Sequence, residues 1–293
     1  MTDFCFQQPG IVGAGRVAQA LAFALRTRAS ASPMLWGRFL EKAHGAAAGV
    51  GAVAEPDIDR LVTECDLIAI AVADDALTDV VSRIAAVLPT GSSPFVFHVS
   101  GRSGAAILEP LGKAGAIIAA IHPAMTFTGD PRSEVARMAG ARFAITAAAG
   151  EAIERARQIV ASFGGVAVEI AEDRRALYHA ALCHASNHLV TLISGAADGL
   201  KDAGVDDPAG LLAPLARAAL ENSLAHGFAG LSGPLLRGDA RTIGDHLAAL
   251  AAGSPALLPA YVAMARATLD ELERREILPS DRLTALDSLL AVP

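Results

Sequence analysis

The chain has 293 residues, of which 53% are hydrophobic, and its formal net charge is −7. This length allows two moderate domains with buried cores, and the acidic balance argues against nucleic acid or an anionic membrane as the main partner. The apolar runs are far shorter than the ~20 residues of a membrane span, no signal peptide is recognisable, and three scattered cysteines without metal-type spacing favour a reducing cytoplasm and no metal site.

Short apolar runs alternate with helical patterns from the start of the chain to about residue 170. The runs are continuous rather than alternating, which is typical of parallel strands that are covered on both faces. The sequence therefore predicts an α/β Rossmann-type doubly wound parallel sheet over residues 1–170. Strands are predicted at 10–12, 34–36, 67–72, 95–99, 116–121, 143–146 and 166–170, and helices at 17–25, 76–88, 105–111 and 151–163.

The chain changes character after residue 170, because only long Ala- and Leu-rich helical patterns follow. Asp207 and Asp239 are predicted helix N-caps, and Ser280 is a candidate cap for the last helix. We expect an all-α domain over residues 171–293, packed directly against the first domain, with the active site in the cleft between them. Helices are predicted at 174–202, 208–226, 240–252, 256–276 and 281–290.

A glycine-rich turn joins the first predicted strand to the first helix. Its sequence is Gly13-Ala14-Gly15-Arg16-Val17-Ala18, which is the dinucleotide fingerprint in the required order of strand, turn and helix. Gly13 permits a tight turn, and Gly15 lets the backbone approach a pyrophosphate at the helix N-terminus. We expect the cofactor to bind at residues 13–17, the alternative being a glycine turn without a ligand.

The end of the second predicted strand indicates which nucleotide is bound. An Asp or Glu binds the ribose of NAD roughly 20 residues beyond the fingerprint, but this chain has Arg38 there. A guanidinium can bind the 2′-phosphate of NADP, whereas a carboxylate would repel it. NADP is therefore the predicted cofactor, with Ala73 at a further edge of its site. The alternative, a solvated Arg38, stays open because Glu41 is nearby.

Candidate catalytic residues follow two later strands. Ser100 comes after the strand at 95–99, and His122 comes after the strand at 116–121. Open α/β sheets bind ligands at the carboxyl ends of strands, so both side chains are predicted to face the substrate, and Ser100 also the nicotinamide. The alternative for each residue is a local turn or core role, which we favour for His98 because it lies inside its strand.

The first helix of the second half carries the densest polar cluster. His179, Cys183 and Asn187 are spaced i, i+4, i+8 and share one broad face. Histidine as a residue type suits general acid–base catalysis near neutral pH, so His179 is a candidate proton donor, and Asn187 could hold a substrate oxygen. The alternative is an interhelical network in which these polar groups satisfy one another.

Together these pieces resemble a bacterial family that pairs a Rossmann-like domain with domain of unknown function 2520. The wider superfamily contains 6-phosphogluconate and β-hydroxyacid dehydrogenases, ketopantoate reductases and pyrroline-5-carboxylate reductases. The resemblance implies an NADP-dependent oxidoreductase, commonly a homodimer through its helical domain. That superfamily commonly has a Lys before the Asn that Asn187 matches, and this chain has His179 or Cys183 there. The matching pieces are residues 13–18, 36–38, 98–101, 122–123, 178–181, 185–187 and 231–239.

The function predicted from the sequence is NADPH-dependent reduction of a small carbonyl or imine compound, with a carboxylate-bearing compound favoured. His179 is the predicted proton donor, and Asn187, Ser100 and His122 are predicted to orient the substrate. Imine or deazaflavin chemistry on the same fold is one alternative. A non-catalytic NADP-binding sensor or scaffold, whose polar helix only rigidifies a dimer, is the other.

Overall fold

The computed structural model describes residues 6–291. The chain divides into two compact units, residues 1–182 and 183–293, and one long helix begins in the first unit and continues into the second. No helix among the described residues is long and apolar enough to cross a membrane.

One sheet of eight strands organises the first unit, in the order β3-β2-β1-β4-β5-β6-β7-β8. Every neighbouring pair is parallel except β6 with β7, which is antiparallel. The predicted Rossmann-type fold is confirmed, whereas the two-residue strand β3 was not predicted. The strands are β1 Pro9–Val12, β2 Met34–Trp36, β3 Val53–Ala54, β4 Leu67–Ile70, β5 Phe95–His98, β6 Ile117–Pro123, β7 Arg142–Ala147 and β8 Val166–Glu169.

Seven helices cover this sheet, and three of them, α2, α3 and α6, were not predicted. Asp57 and Asp130 cap α3 and α6 by accepting a backbone N–H of the first turn, which supplies a start signal that periodicity alone does not contain. The helices are α1 Arg16–Leu25, α2 Leu40–Val50, α3 Ile58–Glu64, α4 Leu77–Val87, α5 Glu109–Lys113, α6 Pro131–Met138 and α7 Glu151–Ser162.

The core of the first unit lies on both faces of the sheet, because successive side chains of a strand point to opposite faces. Ile11 packs in the layer with α1, α2, α6 and α7, and its neighbour Val12 packs in the layer with α3, α4 and α5. Strands β1, β4 and β5 are buried along their whole length. The carboxyl ends of these rigid strands therefore provide a firm base for a site.

The second half is helical, as predicted. Asp207 and Asp239 cap their helices as expected. The prediction that Ser280 is a cap was wrong, because Ser280 is the first helical residue and Pro279 precedes it without a side-chain bond. The helices are α8 Arg175–Asp202, α9 Pro208–His226, α10 Pro234–Arg237, α11 Ala240–Gly253, α12 Leu258–Arg274 and α13 Ser280–Leu290.

The core of the second unit is small. Its buried cluster, formed by α11, α12 and α13, consists of Ile243, Ala265, Leu269, Leu286 and Leu290. Helix α9 leaves large apolar side chains exposed, with Leu215 64% and Leu224 79% accessible.

Candidate functional site

The turn between β1 and α1 has the backbone geometry that its sequence predicts. Gly13 has a φ of +135°, and a Cβ there would overlap the carbonyl group of Ala71. Its N–H donates to the carbonyl of Trp36 at 2.8 Å, which ties the turn to β2. Gly15 is the N-cap of α1 without a side-chain bond, and a Cβ there would meet no atom within 4 Å. The backbone N–H groups of the first turn of α1 therefore lie beside open space.

A cleft of about 830 Å³ opens at this turn. Five of the predicted cofactor residues line it, namely Gly13, Ala14, Gly15, Arg38 and Ala73. The other three, Arg16, Val17 and Ser100, are not among its lining residues. Arg16 instead donates to the carbonyl of Phe127 at 3.3 Å, and Val17 packs against the core.

Basic side chains cluster at the β2 end of the cleft. Arg38 and Lys42 are both exposed and stand four residues apart, across the start of α2. The guanidinium of Arg83 lies 5.5 Å from the ring centroid of Trp36, so a cation and a flat aromatic ring lie side by side in the cleft. Asp75 and Asp79 also line the cleft, whereas Glu41 does not. Lys42 was missed in the sequence, although its spacing from Arg38 was available as a signal.

A second set of polar groups follows β5, where His98 organises the next loop. His98 is fully buried, and its Nδ1 accepts the N–H of Ser100 at 3.1 Å. Its Nε2 lies 2.8 Å from the carbonyl oxygen of Gly104, so Nε2 carries the proton. The hydroxyl of Ser100 accepts the N–H of Ser103 at 3.3 Å. His98 is therefore structural, and Ser100 is half-buried in a loop with a fixed backbone.

Two imidazoles and a phenol converge on this loop. Nδ1 of His122 lies 2.9 Å from the hydroxyl of Tyr178, and the rings of His122 and His179 meet edge to face at 5.8 Å between centroids. A Cβ on Gly101 would stand 2.9 Å from Nε2 of His122 and 3.0 Å from Nε2 of His179. Only a glycine fits between these rings. His122, His179, Gly101 and Tyr178 are called the imidazole cluster below.

The buried side chain of Arg175 holds the loop after β5 in place. It is 1% exposed and donates to the carbonyl oxygens of Ser103 at 2.9 Å, Ser100 at 3.1 Å and Ala144 at 3.3 Å. One guanidinium thereby fixes the loop after β5 to strand β7. Arg175 was not predicted from the sequence, because an Arg in the first turn of a long helix is usually exposed to solvent.

Burial changes the protonation of these groups. Burial, with a smaller contribution from the charge of Arg175, lowers the pKa of His122 to about 4. Burial also lowers the pKa of His98 to about 4 and raises that of Tyr178. At neutral pH both imidazoles are uncharged and Tyr178 keeps its proton. His122 can therefore offer a hydrogen bond but not a positive charge.

Asn187 belongs to the second unit. It is exposed, and its Oδ1 accepts a hydrogen bond from the hydroxyl of Ser186 at 2.9 Å. Ser100, His122 and His179 therefore come together in the first unit, whereas Asn187 belongs to the second unit. Among the residues 6–291, no group of three or more His, Cys, Asp or Glu side chains could hold a metal ion.

A Rossmann-type sheet with a dinucleotide turn, followed by an all-helical region, defines a class of two-domain proteins. Residues 6–123 match the Rossmann-like domain, and residues 141–268 match the domain of unknown function DUF2520. The chain therefore combines a Rossmann-like domain with a DUF2520 domain, and the resemblance seen in its sequence is confirmed. No curated protein matches the chain significantly.

Solved structures share the fold at low sequence identity. A protein from Bacteroides fragilis, solved as a candidate NADP oxidoreductase, is 21% identical with a TM-score of 0.72, covering 89% of this chain and 97% of that one. A reductive aminase from Aspergillus terreus, in complex with NADPH and ethyl-5-oxohexanoate, is 17% identical with a TM-score of 0.67, covering 97% and 99%. An imine reductase from Myxococcus stipitatus in complex with NADP⁺ is 15% identical with a TM-score of 0.65, covering 90% and 94%.

Proposed function

We propose that the protein is an NADP(H)-dependent oxidoreductase that reduces a small carbonyl or imine compound. The observation that carries the proposal is the imidazole cluster, which lies at the carboxyl ends of β5 and β6 in the sheet that also holds the dinucleotide turn. Ligands of open α/β sheets bind at this edge. Proton-donating side chains and a nucleotide cleft on one edge are what a reductase needs.

The residues of the cleft fit NADP. The turn at Gly13 leaves room for backbone approach, and the N-terminus of α1 favours negative charge. Arg38 and Lys42 would hold the 2′-phosphate, since both are exposed cations that line the cleft. When bound, this cofactor supplies a hydride to the substrate. The NADP that is present in two of the structural neighbours supports the same cofactor for this chain.

The remaining roles belong to the side chains of the chain itself. We assign proton donation to His179, and orientation of the substrate to Ser100, His122 and Asn187. The ordered loop after β5 supports the role of Ser100, because its backbone is held by His98 and Arg175. The placement of the substrate between the two predicted domains, and the domain boundary at residue 170, stay predictions.

Turnover of NADPH tests the function. The purified protein should oxidise NADPH with at least one member of a panel of small ketones, 2-oxo acids and cyclic imines. The rate should fall by about 100-fold or more in His179→Ala, since one acid–base group contributes roughly 10²–10⁴-fold. It should fall by about 100-fold in Asn187→Ala, since a substrate displaced by about 1 Å loses that much rate. His184→Ala is the matched control, because His184 is an exposed residue of the same helix that contacts His188.

The same panel distinguishes an enzyme from a sensor or scaffold. A protein that binds NADPH and turns over no compound, and whose variants change only in stability or dimerisation, would contradict the enzymatic proposal. The cofactor assignment has a separate test in Arg38→Ala, which should weaken NADPH binding by about tenfold and leave NADH binding unchanged. Arg137→Ala, an exposed arginine of α6, is the control. Equal NADPH affinity in Arg38→Ala would refute the phosphate contact.

We further propose a homodimer formed through the helical region. Leu215, Leu220 and Leu224 of α9 are large apolar residues that are about half exposed or more. Leu220 and Leu224 are four residues apart and share one face of the helix, so a second copy of the chain that covered this face would remove both side chains from water. We also propose a cytoplasmic location, because the buried Cys65 is a free thiol. Cys5 lies outside the described residues.

A further inference from the structure

We propose that the group reduced is the carbonyl of an anionic oxo compound, such as an oxo acid, rather than an imine. This inference rests on the proposed function and narrows its substrate class. Arg175 places a buried positive charge next to the imidazole cluster, and the cluster itself offers neutral hydrogen-bond donors. Both features favour a substrate that is negative or becomes negative.

The charge of Arg175 lacks a direct counter-ion. Its three hydrogen bonds end on neutral carbonyl oxygens, and it forms no ion pair within the part of the chain that the structure describes. A buried charge that is not paired keeps a long-range field, because little solvent screens it. Its guanidinium carbon lies 5.8 Å from the ring centroid of Tyr178, so this field reaches the cluster.

Two carboxylates stand near the same loop, and each has its own partner. Asp74 pairs with Arg102 at 3.4 Å. Both oxygens of Glu172 accept the N–H of Ala106 at 3.3 Å. At His122, the charge of Arg175 lowers the pKa more than Asp74 raises it. At the ring of His122 the charge of Arg175 therefore outweighs that of Asp74, while Glu172 raises the pKa of Arg175 and offsets part of its charge.

The hydrogen bond between His122 and Tyr178 uses only one of the two hydrogen-bond donors that the pair carries. A neutral imidazole and a phenol bring two hydrogens, and the 2.9 Å bond between them uses one. The other remains available, on Nε2 of His122 or on the hydroxyl of Tyr178. A carbonyl oxygen can accept it, whereas the N–H of a protonated imine cannot.

Charge development during reduction leads to the same choice. The carbonyl carbon gains the hydride supplied by the cofactor, its π electron pair moves to oxygen, and that oxygen then takes the proton assigned to His179. Negative charge grows on the oxygen, and a positive field with a donor stabilises it. An iminium ion is positive before reduction, so the same field disfavours its binding. A carboxylate on the substrate is attracted by the charge of Arg175.

Binding of two small probes to the protein with NADP⁺ tests the proposal by calorimetry. Oxamate mimics a 2-oxo acid, and pyrrolidinium mimics a protonated cyclic imine. We expect oxamate to bind at least tenfold more tightly than pyrrolidinium. In Arg175→Gln the affinity for oxamate should fall roughly tenfold, while the affinity for NADP⁺ stays unchanged.

A second variant serves if Arg175→Gln does not fold. Glu172→Gln removes a negative charge near the loop and keeps the shape of the side chain, so oxamate should bind severalfold more tightly. Glu154→Gln, on the exposed face of α7, is the control. Preferred binding of pyrrolidinium, or unchanged oxamate affinity in both variants, would overturn the proposal. Failure to bind NADP⁺ would instead overturn the proposed function and this inference with it.

Discussion

Gly101→Ala perturbs the imidazole cluster without removing any of its functional groups. The added methyl would lie 2.9 Å from Nε2 of His122 and 3.0 Å from Nε2 of His179. The same methyl would approach Cδ2 of His179 still more closely. Ordinary contacts between such atoms begin at about 3.5 Å, so the ring of His122 must shift by roughly 0.5 Å and that of His179 by about 1 Å. A displacement of about 1 Å at a reacting group costs on the order of 100-fold in rate. Overpacking adds about 1–3 kcal/mol of destabilisation.

Three measurements separate these effects. The rate of NADPH oxidation with the best substrate of the panel should fall by about 100-fold. The affinity for NADPH, measured by fluorescence, should stay unchanged because Gly101 does not line the nucleotide cleft. Urea unfolding gives the loss of stability. Gly49→Ala in α2 is the matched control, since its methyl meets no atom within 4 Å. A Gly101→Ala protein with the rate and stability of the wild type would refute the packing argument.

Three further outcomes are expected. Gly13→Ala should lower the free energy of unfolding by more than about 2 kcal/mol in urea, because of its φ of +135° and its overlap with Ala71; a smaller loss would contradict the assigned turn. The pKa values of His98 and His122 are lowered from 6.5 to about 4. The folded protein therefore binds fewer protons than the unfolded chain, and stability, full above pH 6.5, should fall by about 2–3 kcal/mol per imidazole as the pH drops to 4. Unfolding followed at several pH values would show this, and a flat profile would contradict it. Leu224→Asp should convert a dimer to a monomer in light scattering, and an unchanged mass would count against α9 as the interface.

The parts of the fold that the sequence predicted are those with local signals. The turn at Gly13 and the capped helix starts at Asp207 and Asp239 each depend on a few neighbouring residues. Strand β3 was missed because two residues contain no periodicity. The antiparallel direction of β7 was missed because a continuous apolar run has no direction.

The candidate site was predicted in part for the same reason. Ser100 and His122 follow strands, and that local position was enough to select them. The bond between His122 and Tyr178 joins residues 56 positions apart, and the burial of Arg175 depends on carbonyl oxygens from two distant segments. Such contacts arise only from tertiary packing, so no local pattern could indicate them.

A crystal structure of the protein with NADP⁺ would show whether the cleft at Gly13 and the imidazole cluster serve the same bound cofactor. We predict that the diphosphate lies against the backbone N–H groups after Gly13 and that the 2′-phosphate is within hydrogen-bond distance of Arg38 or Lys42. We also predict that the nicotinamide points toward Gly101 and His122. A nicotinamide that lies away from the imidazole cluster, or NADP⁺ bound outside the cleft, would contradict it.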